Sequence, residues 1–243
     1  MNLNITFDLE TCALCPTAAV MSIGAVAWNA DAEDNPFTEG FPGEYCFYRH
    51  VDLRSSFVDG FTFDGKTSEW WATRNEDAKK ALLEYDDVPL RSIDGVIEDF
   101  FGFIQHVQKE TSSKEVKLWS QGTDFDIAIL KNICGKYDIE IPVSHKNFRD
   151  HRTFFLEGTN IICGKPGAEL DDEHNTHPMV VEYDRPGEPH NPVFDCKRSI
   201  FSTWQIMKRL RSLNICKVEL YGKASLSQDS SYSLHRCVAR KPF

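Results

Sequence analysis

No stretch of this chain approaches the ~18 consecutive apolar residues that a membrane-spanning helix needs, so no membrane span is expected. The start lacks the basic-then-apolar pattern of a secretory leader and opens on a strand pattern instead. The eight cysteines, at 12, 15, 46, 134, 163, 196, 216 and 237, are too scattered for a disulfide framework. Together these absences lead us to expect a cytoplasmic protein. Cys12 and Cys15 form a Cys-x-x-Cys without a second pair at zinc-site spacing, so free, partly buried thiols are the better reading. Internal repeats and low-complexity tracts are also missing.

An excess of positive charge is missing too. The chain carries a net −10, which at first argues against a nucleic-acid partner. The distribution is uneven, however. Residues 196–243 hold ten Lys or Arg and two acids, which leaves −18 on residues 1–195. A basic C-terminal quarter can hold a phosphate backbone while an acidic region collects metal, and it reads equally as a solvated helix face. With 243 residues, 41% of them apolar, the chain is long enough for one α/β domain with a full core.

The patterning predicts strands over Asn2–Glu10, Ala19–Trp28 and Glu44–Val51, joined as an antiparallel meander with a polar loop over Ala30–Gly43. Short helices are expected over Thr67–Arg74 and Asn75–Leu83, and a strongly amphipathic one over Ser92–Gln108. A short strand at Val116–Ser120 and a helix over Asp124–Tyr137 imply a crossover onto a parallel pair. Gly158–Pro192 reads as irregular, with a strand possible only at Met179–Tyr183. Asp195–Leu213 reads as a long helix, and Lys217–Tyr221 as a last strand. Chemically, the first strand stands out. Asp8 and Glu10 are two residues apart, so they share a face, about 6–7 Å apart along the strand. Two acids on one rigid face are costly unless positive charge lies between them. A pair of divalent ions about 3.5–4 Å apart meets that need.

Four further signals join them. Gly122-Thr123-Asp124-Phe125-Asp126 places Asp126 just after a strand and at a helix start, as a site acid or as a favourable helix-start charge. His190 lies five residues before Asp195, itself readable as a plain N-cap. Thr67-Ser68-Glu69-Trp70-Trp71 sends two tryptophans to different helix faces. Trp70 is taken as core and Trp71 as a platform on which a base can stack. Arg149-Asp150-His151-Arg152-Thr153 is a charged cluster expected on a helix, where Arg149 and Arg152 can hydrogen-bond phosphate or brace an acid.

Phe7-Asp8-Leu9-Glu10-Thr11, Phe125-Asp126 with Leu130, and His190-x4-Asp195 resemble the three motifs of the DEDD exonuclease superfamily in its histidine form, the DEDDh group of DnaQ-like proteins. The tyrosine form requires Tyr at 191, which is Asn. Within that group the order of elements is most similar to the branch containing T-even phage exonuclease A and a mycobacterial 3′–5′ exoribonuclease. The resemblance spans residues 3–210 and fades in Gly158–Pro189 and after Asn214. It implies a ribonuclease H-like α/β fold: a mixed five-stranded sheet, antiparallel meander plus parallel strands, flanked by helices. The domain would cover 1–214, with 158–190 an insertion or lid and 215–243 a basic extension. It further implies a phage or bacterial 3′–5′ exonuclease that acts on single-stranded or overhanging DNA or RNA 3′ ends and releases nucleoside 5′-monophosphates. Its ligands for two Mg²⁺ or Mn²⁺ ions would be Asp8, Glu10, Asp126 and Asp195.

On the same resemblance, His190 is the general base, with activity rising through neutral to mildly alkaline pH. The surrounding acids are expected to raise its pKa, and bound metal to lower it again. Leu9 and Thr11 would contact the terminal nucleotide, beside Phe125. A homodimer is compatible with the sequence. Rival readings are a non-catalytic nucleic-acid-binding or polymerase-accessory module of the same fold, a phosphohydrolase of small nucleotides, and a zinc protein using Cys12, Cys15 and the His174/His177 stretch.

Overall fold

The structure is a computed structural model, and it describes residues 1–76, 79–80, 89–163, 183, 187 and 189–224. Five strands form one mixed sheet in the order β3-β2-β1-β4-β5. They are β1 Leu3–Thr11, β2 Val20–Asn29, β3 Cys46–His50, β4 Lys117–Ser120 and β5 Phe148–Asp150. The first three make the expected antiparallel meander, and β4 and β5 add in parallel on the other side of β1. The helices are α1 Leu53–Val58, α2 Gly65–Ala72, α3 Ile93–Glu110, α4 Asp126–Tyr137, α5 His151–Cys163 and α6 Pro192–Ala224. None is long and apolar enough to cross a membrane among the described residues.

The two faces of β1 have opposite chemistry, and this arranges the whole domain. Leu3, Ile5, Phe7 and Leu9 point into the larger core, with Ile93, Val96, Ile97, Phe100 and Ile104 of α3 and Ile127 and Ile133 of α4. The other face carries Asn4, Thr6, Asp8 and Glu10. It lies on the side of a second core built from Val26, Trp28, Trp119, Cys196, Ile200 and Trp204. A buried polar group is tolerated only when it is hydrogen-bonded. Asn4 Oδ1 accepts from Trp119 Nε1 at 2.8 Å. Thr6 Oγ1 accepts from Trp28 Nε1 at 3.0 Å and lies 2.9 Å from His151 Nε2. His151 Nδ1 in turn lies 2.6 Å from Thr203 Oγ1, so the imidazole ties β1 to α6. Complete burial drives its pKa down to about 3, which leaves it neutral. The polar stripe is thus satisfied as far as Thr6.

Gly24 pairs with Asp8 across the sheet. A Cβ at Gly24 would lie 2.7 Å from Pro192 C and Val193 N. Its bare backbone is what lets the first turn of α6 rest on the sheet beside Asp8. The Cys196 thiol completes this seat by donating to Thr6 O at 3.5 Å.

Several expectations are corrected. Arg149–Thr153 is not one helix. Phe148–Asp150 is the edge strand β5, and α5 starts at His151, because the Asp150 carboxylate accepts from Arg152 N at 2.8 Å and ends the extended segment there. Lys217–Tyr221 is helical: no Gly or Pro falls between 193 and 221, so nothing stops α6 before Ala224. The short helix α1, capped by Asp52, escaped detection, as did α5. Most of Asn75–Leu83, Met179–Val181 and the residues after Ala224 lie outside the described residues. The basic residues of α6 are largely spent inside the protein. Lys197 pairs with Glu44 at 2.7 Å, Arg211 with Asp31 at 2.9 Å, and Lys208 donates to Glu33 O.

Substituting Gly24→Ala should force α6 off the sheet. We expect a loss of about 1–3 kcal/mol, read as a fall in Tm of roughly 2–4 °C per kcal/mol in thermal unfolding. An unchanged Tm would show that this contact does not seat the helix.

Candidate active site

The polar stripe of β1 ends in Asp8 and Glu10, beyond the last residue paired to β4. At that end of the sheet β4 stops at Ser120. The chain turns through Gly122 (φ 124°) and enters α4 at Asp126, which is buried. From the other side, α6 delivers Asp195 in its first turn. The turn before it holds His190 in a left-handed conformation (φ 68°), with its backbone N–H donating to Asp195 Oδ2 at 2.9 Å. A non-glycine residue held there is uncommon and requires local anchoring. All five residues singled out by sequence therefore line one cavity of about 220 Å³. Ligand atoms of Glu10, His190 and Asp195 lie within 4.8 Å of one another.

The electrostatics are those of a site short of positive charge. Burial pushes the Asp8 carboxyl well above its ordinary range, and Glu10, Asp126 and Asp195 push it further. Arg198 opposes them. Burial likewise raises Glu10, with Asp195 and Asp126 adding to it. Asp126 is pushed up to about 7 by burial, against hydrogen bonds from the backbone and the charge of Arg152. Asp195 is raised by burial and pulled back by Arg198. His190 departs from expectation. Its burial lowers the pKa, and this outweighs the opposing effect of Asp195, with Arg74 and Arg198 lowering it further.

A second, larger cavity of about 1000 Å³ adjoins the first and shares Leu9, Glu10 and Phe125 with it. Thr11, Leu14, Thr62, Lys66, Trp70 and Trp71 complete most of its wall. Trp70 is not the expected core residue, and both tryptophans line this cavity. Trp70 is 42% exposed rather than core, with the Arg74 guanidinium 4.3 Å over its ring. Trp71 is half-buried and donates from Nε1 to Thr11 O at 3.1 Å. Both rings meet the His190 imidazole edge-on, at 5.0 and 5.6 Å. The Thr11 hydroxyl hydrogen is spent on Ala13 O at 2.8 Å. Arg152 lines the acidic cavity, whereas Arg149 does not. Arg149 Nη1 donates to Lys146 O and Phe148 O at the sheet edge. Sequence reasoning missed Arg198 and Gln121, which also line the acidic cavity. Arg198 had a readable signal, since it stands one helical turn after Asp195 and contacts it at 3.6 Å.

The fold is the ribonuclease H-like fold. Similar solved structures include cell-death related nuclease 4 (TM-score 0.55, 16% identity, 87% of this chain and 64% of that one). The nuclease domain of 3′hExo, a DEDDh family member bound to rAMP, also matches (TM-score 0.52, 12% identity, 85% of this chain and 92% of that one). A third is the 3′-exonuclease in a structure of 3′-end-specific recognition of histone mRNA stem-loop (TM-score 0.50, 13% identity, 85% of this chain and 64% of that one). The chain thus spans under two thirds of the first of these. A comparison with curated proteins gives no match. Residues 3–198 match the model of one family, and the chain belongs to it: the 3′-5′ exoribonuclease Rv2179c-like domain.

Because the folded-state pKa of Asp126 is raised, the fold holds a proton more tightly than the unfolded chain. The metal-free protein should therefore be most stable at mildly acidic pH and lose stability as pH rises from ~4 in the unfolded state to about 7 in the folded one. In EDTA, Asp126→Asn should raise Tm at pH 8, by about 2–4 °C per kcal/mol relieved, and flatten its pH dependence. An Asp126→Asn variant less stable than the parent at pH 8 would contradict the burial of uncompensated charge.

Proposed function

We propose that this protein is a metal-dependent 3′–5′ exonuclease that removes nucleoside 5′-monophosphates from single-stranded or overhanging 3′ ends, with Asp8, Glu10, Asp126, His190 and Asp195 as its catalytic set. The observation that carries this reading is the convergence of four carboxylates and one histidine, from β1, α4 and α6, on a single cavity. Family membership supports it, and the 3′-5′ polarity follows the family's description.

The residues fit divalent metal. The donors are hard oxygens, they are buried, and their raised pKa values record a missing counter-charge. Such a set suits Mg²⁺ or Mn²⁺. Asp8, Glu10, Asp126 and Asp195 would hold two ions. When bound, these ions supply an activated water and neutralise charge on the phosphate and the leaving 3′-oxygen.

The remaining work falls to the chain itself. His190, kept neutral by its burial, takes the proton of the attacking water at a ring nitrogen. Asp195 fixes the histidine's turn through the backbone N–H, and the tryptophan pair fixes its ring edge-on. Leu9 and Phe125, shared by the two cavities, separate the reacting phosphate from the nucleotide that will leave. The terminal nucleotide occupies the larger cavity, where Trp70 and Trp71 offer aromatic surface to any base. Trp71 also braces the end of β1 through Thr11 O. Stacking on aromatic rings accepts any base, so the enzyme is sequence-tolerant.

The test is degradation of 5′-labelled single-stranded RNA and DNA with Mg²⁺, Mn²⁺ or EDTA. We expect stepwise shortening from the 3′ end that EDTA stops. Asp8→Ala should reduce the rate at least 10³-fold, on the order of removing a group essential to the transition state, while Tm in EDTA is kept or raised. The rate should climb with pH and level off earlier than an exposed histidine of pKa ~6.5 would dictate. Activity that survives EDTA, or internal cleavage without a ladder, would overturn the reading.

A further inference from the structure

The acidic cavity has two cations among the described residues lining it, Arg152 from α5 and Arg198 from α6. Neither lines the larger cavity. They line the cavity that holds the carboxylates, whereas Thr62, Trp70 and Trp71 line the larger one. The shared residues Leu9, Glu10 and Phe125 mark the boundary between the two sides. A nucleic-acid strand is directional. If its last nucleotide fills the larger cavity, the scissile phosphate lies at the carboxylates, and the strand must leave past Arg152 and Arg198. From this layout, which rests on the proposed exonuclease reading, we propose that Arg198, together with Arg152, binds the phosphate immediately upstream of the scissile one.

Three observations carry the assignment. First, charge: once four carboxylates are balanced by divalent ions, the two guanidinium groups are surplus positive charge facing a polyanion. Second, availability: Arg198 is 39% exposed, and its contact to Asp195 Oδ1, at 3.6 Å, is longer than a charge-assisted hydrogen bond. Three other cations of α6, Lys197, Lys208 and Arg211, are held instead by Glu44, the Glu33 carbonyl and Asp31. Third, placement: the Arg152 Nη1 lies 3.6 Å from where a Cβ on Gly122 would be, in ordinary contact with the turn that leads into Asp126. That glycine has φ 124°, so the turn presents bare backbone where the guanidinium passes. Arginine's fixed fork is suited to phosphate oxygens, and its charge does not titrate away. Arg198 thereby selects for polymer: a substrate with a phosphate upstream of the scissile bond gains a contact that a bare dinucleoside monophosphate lacks.

The test is equilibrium binding of a short single-stranded oligonucleotide to the full chain in Ca²⁺, followed by anisotropy across salt concentrations. Arg198→Ala should weaken binding about tenfold or more and lower the slope of log affinity against log salt by about 0.7. Arg198→Lys, which keeps the charge, should retain most of that slope. An oligonucleotide with an uncharged methylphosphonate at the penultimate linkage should bind the parent more weakly by a similar factor. In Arg198→Ala the methylphosphonate penalty should shrink to the smaller part that Arg152 contributes. If the methylphosphonate penalty is the same in parent and variant, or the salt slope does not change, Arg198 acts only by holding Asp195 and the proposal fails. The binding cycle does not depend on hydrolysis. A parent that binds as expected but never shortens the strand would sink the exonuclease reading and leave the Arg198 contact standing.

Discussion

Four carboxylates brought into one buried cavity repel each other and lose their hydration, and the rest of this structure is arranged around that cost. In water each acid would ionise at ordinary pH. Here burial is the leading reason that the pKa values of Asp8, Glu10, Asp126 and Asp195 are all raised. Arg198 and Arg152 soften the repulsion without removing it. A fold that selects such an arrangement leaves room for cations supplied from outside.

The scaffold makes the arrangement rigid by satisfying everything beside it. On the polar face of β1, Asn4 and Thr6 are met by two indole N–H groups and one neutral imidazole, and the strand cannot rotate or slip without breaking them. On the neighbouring strand, Gly24 admits the first turn of α6, and with it Asp195. His151 bonds β1 on one side and Thr203 of α6 on the other, so the two elements that carry Asp8 and Asp195 are joined through a side chain away from both. The long-range hydrogen bonds of the tryptophans do the same work at lower polarity. Trp204 Nε1, for example, donates to Ala32 O at 2.8 Å and keeps α6 against the β2 turn.

Much of this was legible in the sequence because it is local. Strict alternation revealed β1, and the apolar stripe at helical spacing revealed α3. Asp8 and Glu10 shared a face by strand geometry alone. What was hidden depends on tertiary contacts. The exposure of Trp70 was hidden because adjacent helix positions differ in exposure only once α2 is docked, and the Thr11 carbonyl takes the Trp71 indole N–H instead. The strand at Phe148–Asp150 is three residues long and half-buried, with no alternation to read. Arg149 left the site because β5 directs it to the sheet edge, while Arg152, three residues on, is carried inward by α5. The histidine's pKa moved opposite to expectation because neighbouring acids are visible in a sequence and desolvation is not. The basic C-terminal quarter looked like one electropositive surface, yet Lys197 and Arg211 pair with Glu44 and Asp31, and Lys208 donates to a backbone carbonyl at Glu33.

The central claim is that the buried acids await cations and carry protons until they come. Calorimetric titration of Mn²⁺ into the chain at pH 7, repeated in buffers of different ionisation enthalpy, measures ion binding and proton release together. The account predicts saturable binding accompanied by net release of protons, most of it lost in Asp8→Ala and Asp126→Asn. Absence of saturable binding, or binding without proton release, would contradict it.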